Sequence, residues 1–81
     1  MDSAQIRTLV RDFFFNECGL TDDFGDSDLL FSTGLVNSLN VIQLVVYLES
    51  NFGIKITPLD MSFENFDSVD LLESFVTKKS Q

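Results

Sequence analysis

Side chains that usually carry out chemistry are scarce in this sequence. It has no His and a single Cys, Cys18, which removes the commonest general base, the Ser/His/Asp triad, nearly all zinc chemistry and any internal disulfide. Asp and Glu number thirteen, yet no pair stands at a spacing that suggests acid/base work, and no cofactor loop is present. Asp26-Ser27-Asp28 has the opening of a calcium loop, but Leu30 takes the next ligand position, the required Gly is absent and no Glu closes the loop. No metal site is expected. What remains is one serine in a marked setting, Gly34-Leu35-Val36-Asn37-Ser38-Leu39-Asn40. Read locally, Asn37 caps a helix and Ser38 fills its first turn, an arrangement common to many helices.

Three helical segments must position that serine. Asp2 or Ser3 caps the first, which runs to about Phe15 and buries Ile6, Leu9, Val10, Phe13 and Phe14 at i, i+3, i+4, i+7 spacing. Arg7 and Arg11 fall on its opposite, solvent side. From Asn16 to Val36 the periodicity is lost among turn formers such as Gly19, Thr21, Asp22, Asp23, Gly25 and Asp26. So long a loop is unusual in a compact domain, and its Leu29, Leu30 and Phe31 imply that it is pinned across the helices. The second helix starts at Asn37 or Ser38 and ends at about Phe52, before Gly53. Ile54-Lys55-Ile56 reads as an extended connector. Thr57-Pro58-Leu59-Asp60 reads as the start of a short helix, and Asp67-Ser68 as the cap of a last one, from about Ser68 to Thr77. That last helix buries Val69, Leu72, Phe75 and Val76, with Lys78 and Lys79 at its negative end. The expected fold is all-α: a small four-helix bundle with a long loop between helices 1 and 2 and a short third helix, residues 1–81 forming one domain.

At about 100° per residue, the second helix is apolar on two sides. Val41, Leu44, Val45, Leu48 and Phe52 make an ordinary core face. Leu39, Ile42 and Val46 form a separate stripe, with Asn40, Gln43, Tyr47 and Ser50 at one margin and Glu49 at the other. Ser38 lies between the faces, nearer the second. A helix central in the bundle would bury both stripes. In a chain of 81 residues enclosure on every side is uncommon, and the second stripe reads better as a docking surface for other proteins.

Composition narrows the partners. Five Lys and Arg against thirteen Asp and Glu give a net charge of −8, which argues against nucleic acid and against an anionic membrane surface. Apolar residues at 44% suffice for one core and exclude a disordered chain. No run of about 18 apolar residues occurs, as a membrane span would need, and Met1-Asp2-Ser3 does not open a signal peptide. With Cys18 alone, a reducing cytoplasm is the expected compartment.

The serine motif, the long apolar helix ending Leu48-Glu49-Ser50-Asn51-Phe52-Gly53-Ile54, and Glu64-Asn65-Phe66-Asp67-Ser68-Val69 some way after it together resemble the phosphopantetheine carrier family of free-standing acyl carrier and peptidyl carrier proteins. The resemblance spans nearly the whole chain. It implies that Ser38 is esterified to 4′-phosphopantetheine, transferred from coenzyme A by a separate phosphopantetheinyl transferase, and that the protein is a carrier and not an enzyme. A phosphodiester there suits a helix N-terminus, where unpaired N–H groups and the dipole favour an anion. The arm supplies the cargo-bearing thiol that the chain lacks in any suitable place, and tethering raises the local concentration of cargo at a partner's active site. Cys18 reads as a buried or incidental thiol.

Two departures from the family pattern matter. Asn37 replaces the usual Asp before the Ser; it caps equally well but removes a charge the transferase could read. Fatty-acid carriers present several acids on the second helix, whereas this chain has Asn40, Gln43 and Ser50 there, leaving Glu49. Docking is therefore expected to be apolar and little affected by salt, through Asn37, Leu39, Ile42, Val46 and Met61. Met61 and Phe63 either meet the arm or line a pocket, with core packing expected for at least one. The preferred subgroup is a peptidyl or aminoacyl carrier of a specialised pathway, served by a cargo-loading ligase, adenylating enzyme or acyltransferase and by downstream synthase or tailoring enzymes. A fatty-acid or polyketide acyl carrier, or an unmodified helical interaction module, is the alternative.

Overall fold

Helix α1 spans Ser3–Asn16 and starts as its sequence dictates. The Asp2 carboxylate accepts the Gln5 N–H, and the Gln5 side chain accepts the Asp2 N–H in return. That reciprocal pair satisfies two of the amides left open at a helix start. The computed structural model describes residues 2–20, 24–37 and 39–80. Thr21, Asp22 and Asp23, read above as turn formers, and Ser38 lie outside the described residues. The other helices are α2 (Asn40–Phe52), α3 (Phe63–Phe66) and α4 (Val69–Lys79), with a single 3₁₀ turn at Pro58–Asp60. The chain is all-helical over its described residues, a small bundle with a long crossing loop between α1 and α2.

Helix α2 begins at Asn40, later than the expected Asn37 or Ser38. Asn37 still organises the entry, but through a turn ahead of the helix. Its carboxamide oxygen accepts the Leu39 N–H at 2.9 Å, and its carbonyl accepts the Asn40 N–H at 2.9 Å. Such local side-chain bonds compete with helical ones and delay the first regular turn. The exit is at Gly53, whose φ of 64° a β-carbon would strain. Beyond the extended connector, Thr57 and Asp60 form the expected capping box, but the helix they open lasts one turn. It breaks at Met61 and Ser62, and α3 starts afresh.

Ile6, Val10, Phe13 and Phe14 of α1 meet Val69, Leu72, Phe75 and Val76 of α4 in the core, with Leu44 and Leu48 of α2. The loop adds Phe24, Leu30, Phe31 and Val36. Phe14 is the junction: its ring packs edge-on against Phe13, Phe24 and Phe31 at centroid distances of 5.6, 6.1 and 6.0 Å. Arrangements of this kind contribute about 0.5–1.5 kcal/mol each beyond the area they bury.

Arg7 and Arg11 are not the solvent-facing residues that periodicity implied. Arg7 pairs with Asp26, Asp70 and Glu73, and Arg11 with Asp26 at 2.7 Å. Arg11 also donates to the Phe24 carbonyl and stacks over the Phe24 ring at 4.2 Å. The loop folds back over α1 and brings Asp26 to both arginines, while α4 supplies Asp70 and Glu73 to Arg7. Asp26, read above as part of a calcium-like opening, is thus engaged by two arginines, and Asp28 accepts the Gly25 N–H.

Candidate functional site

Ser38 itself lies outside the described residues, so the site is built from its neighbours. Asn37 and Leu39, on either side of it, are both exposed. The first turn of α2 contains no acidic residue. The amides there and the positive end of a 13-residue helix dipole therefore meet no carboxylate from their own turn. This chemistry fits an anion such as the phosphate of a phosphopantetheine group, with Asn37 and the first-turn backbone as the residues that would hold it.

The two faces of α2 separate as its spacing predicts. Leu44 and Leu48 are buried, and Val41, Val45 and Phe52 pack partly against the core. Leu39, Ile42 and Val46 are 74%, 66% and 58% exposed. They stand away from the Leu44 and Leu48 side, which faces the core. Two margin residues turn inward. The Tyr47 hydroxyl donates to the Leu9 carbonyl at 2.7 Å and its ring lies 5.1 Å from that of Phe13. Glu49, the one acid of the helix, accepts the Ile56 N–H at 2.9 Å and so anchors the connector. The exposed face of α2 is left without a free charge.

Beside the first turn of α2 opens a cleft of about 280 Å³, lined by Phe31, Val41, Met61, Ser62, Phe63 and Phe66. Met61 and Phe63 are exposed and neither joins the core, contrary to the expectation that one of them would. The break between the 3₁₀ turn and α3 swings both side chains outward to the rim. An apolar cleft of this size suits an uncharged chain, not a second ionic group.

Sequence reading missed the residue that fixes one wall of this cleft. Asp67 is 4% exposed, and its carboxylate accepts the N–H groups of Leu30, Phe31 and Ser32 at 3.1, 2.7 and 2.9 Å, as well as the Ser32 hydroxyl. Its main-chain carbonyl takes the Leu30 N–H as well. Burial pushes the Asp67 carboxyl up, but these hydrogen bonds outweigh burial and hold it below the usual carboxylate range. Ser68, not Asp67, caps α4 by accepting the Leu71 N–H. Two cap-type residues in a row, where one helix needs one, were the available signal.

Cys18 is partly buried and its thiol is pushed up to about 11, first by burial and then by Glu17. It is protonated and unreactive at neutral pH. Among the described residues no group of three or more His, Cys, Asp or Glu is placed to hold a metal, and no helix is long and apolar enough to cross a membrane.

A family model described as the phosphopantetheine attachment site matches residues 4–76. The chain belongs to that family. Curated relatives agree. The D-alanyl carrier protein of Lactococcus lactis subsp. cremoris (strain MG1363) is 34% identical over 62 residues, covering 74% of this chain and 78% of its own. That of Lactococcus lactis subsp. lactis (strain IL1403) is 34% identical over 61 residues, covering 73% and 77%. The protein is a carrier whose cofactor is covalently attached 4′-phosphopantetheine. Carriers of this family are generally non-catalytic and interact with phosphopantetheinyl transferases and with ligases or acyltransferases.

Proposed function

We propose that this carrier bears its phosphopantetheine on Ser38 and presents aminoacyl or peptidyl groups to partner enzymes of a specialised biosynthetic pathway. When bound, the arm supplies the thiol on which a carboxylic acid is held as a thioester. The observation that carries the reading is the neutral first turn of α2, flanked by exposed Asn37 and Leu39 and continued by the exposed Ile42 and Val46. Asn37 shapes the approach to Ser38, while Leu39, Ile42, Val46 and Met61 form the surface that partners meet. The open cleft behind Met61 and Phe63 is room for the arm to rest between visits.

The aminoacyl preference over a fatty-acid or polyketide cargo rests on two supports. The relatives are D-alanyl carriers, and the exposed side of α2 lacks the acids on which fatty-acid carriers rely. The partners follow from this: a transferase, a loading ligase or adenylating enzyme, and downstream synthase or tailoring enzymes. A cytoplasmic site of action belongs to the same proposal, supported by a lone cysteine that forms no disulfide.

Intact-mass analysis after incubation with coenzyme A and a broad-specificity phosphopantetheinyl transferase tests the attachment. One phosphopantetheine increment is expected, absent in Ser38→Ala. An increment that persists in Ser38→Ala would move the attachment elsewhere. No increment with several transferases would leave the bundle as an unmodified interaction module.

A further inference from the structure

A second groove, of about 440 Å³, runs between α1 and α2. Its floor is apolar: Ile42 and Val46 from the exposed stripe, with Phe13 and Tyr47 beneath. The floor is also preformed. Tyr47 is tied to α1 by its hydroxyl, and Asn51 donates to the Tyr47 carbonyl at 2.8 Å. Gln43, which accepts from Asn40 at 2.8 Å, Ser50 and Asn51 make a neutral polar wall. Glu17 closes one end.

That end carries negative charge which the described residues leave uncompensated. Helix α1 finishes there without a basic residue in its last turn, whereas α4 finishes with Lys78 and Lys79. Glu17 is the C-cap of α1, so its carboxylate adds to the negative end of the helix dipole. The ion pairs among the described residues join Arg7, Arg11 and Lys79 to Asp26, Asp60, Asp70 and Glu73. None reaches Glu17 or Asp12. Burial first, then these two acids, push the Tyr47 phenol above its ordinary range, and of the two Glu17 lines the groove.

We infer that this groove receives a segment of a partner protein in which an apolar side chain stands beside an Arg or Lys. The apolar group fills the floor at Ile42, Val46 and Tyr47, and the cation meets Glu17 and the negative end of α1. This rests on the docking role proposed above for the outer face of α2 and extends that surface toward α1. A second copy of the chain is a poor occupant. At a net charge of −8 it repels itself, and it would bring one acidic end against another.

Tyr47 is the one Tyr of a chain without Trp, so tyrosine emission reports directly from the groove. The probe is a pair of helical peptides free of Tyr and Trp, each with Leu at i, i+3/i+4 and i+7. One is flanked by Arg and the other, otherwise identical, by Gln. The Arg peptide should change Tyr47 emission, shift the amide resonances of Ile42, Val46 and Tyr47, and bind roughly threefold more tightly than the Gln peptide. That advantage should vanish in Glu17→Gln and at high salt. Equal affinities, no binding, resonance shifts confined to Met61 and Phe63, or concentration-dependent self-association of the carrier through the same residues would each overturn the inference. The mass increment on Ser38 is read without peptide, so failure of the groove and failure of the carrier assignment are separate results.

Discussion

The flank built by α1, the loop and α4 and the flank presented by α2 handle polar groups in opposite ways. On the first, Arg7 and Arg11 gather Asp26, Asp70 and Glu73, Ser3 donates to Glu73, and the Asp70 N–H donates to the Asp26 carbonyl. Charge there braces the fold. On the second, the outer face of α2 is apolar or neutral, and its one acid, Glu49, is turned to the connector. The difference teaches that a net charge of −8 says little about how this carrier docks. Much of the charge is engaged inside the molecule, and none stands on the face of α2 that partners are proposed to meet.

The sharpest way to break the contrast is to remove the buried acid on the braced flank. Asp67→Ala leaves the Phe31 and Ser32 N–H groups without their acceptor, while the Leu30 N–H keeps the main-chain carbonyl of residue 67. An unsatisfied buried donor costs about 1–3 kcal/mol; Phe31 is buried and Ser32 exposed, so a loss of about 1–3 kcal/mol in urea unfolding is expected. A loss below about 0.5 kcal/mol, within the range of ordinary surface changes, would show that the clamp is dispensable.

On the other flank a substitution should spare the fold and damage docking. Val46→Asp is expected to leave the circular dichroism spectrum and the unfolding midpoint unchanged, because Val46 is exposed. It should slow transfer of cargo to the partner enzyme by about tenfold, the scale of a single interface anchor. Lost helical signal would return Val46 to the core and erase the distinction between the flanks. Any salt dependence of the wild-type rate should come from the Glu17 end of the groove and be lost in Glu17→Gln, since the outer face of α2 carries no free charge.

Acid sharpens the contrast most gently. Asp67 is held below its ordinary range as described, and Glu73 is held low by the Ser3 hydroxyl against partial burial, with Thr77 and Arg7 adding to the effect. Folded values below unfolded ones mean that the stabilisation is complete above the unfolded carboxylate range, about 4, and is lost as pH falls through the folded values. The gap in unfolding midpoint between wild type and Asp67→Asn should therefore be constant near neutrality and shrink below about pH 4. A gap that widens in acid would contradict the assignment.

Much of this was legible in the residues. The caps at Asp2 and Ser68, the stop at Gly53 and the four buried positions of α4 follow from local rules, as does the exposure of Leu39, Ile42 and Val46. The misreadings were of another kind. Arg7 and Arg11 lie on the outer side of α1 by spacing, and that side is engaged because a loop without periodicity brings Asp26 to it and α4 brings Asp70 and Glu73. Tyr47 lies at the margin of an exposed stripe, yet its hydroxyl reaches Leu9, 38 positions earlier. Met61 and Phe63 look like core residues until the helix breaks beneath them.

Local pattern was enough for α1, α4 and the two faces of α2, because caps and periodicity act over one or two turns; the family came from the motif around Ser38 and its spacing. The tertiary structure alone decided which charges brace the fold, which carboxylate clamps the loop and where the clefts open. Asp67 and the Leu30 N–H that it accepts stand 37 positions apart. Nothing in the local pattern announces such a contact; it exists only once the chain has closed on itself and burial has made each polar group find a partner.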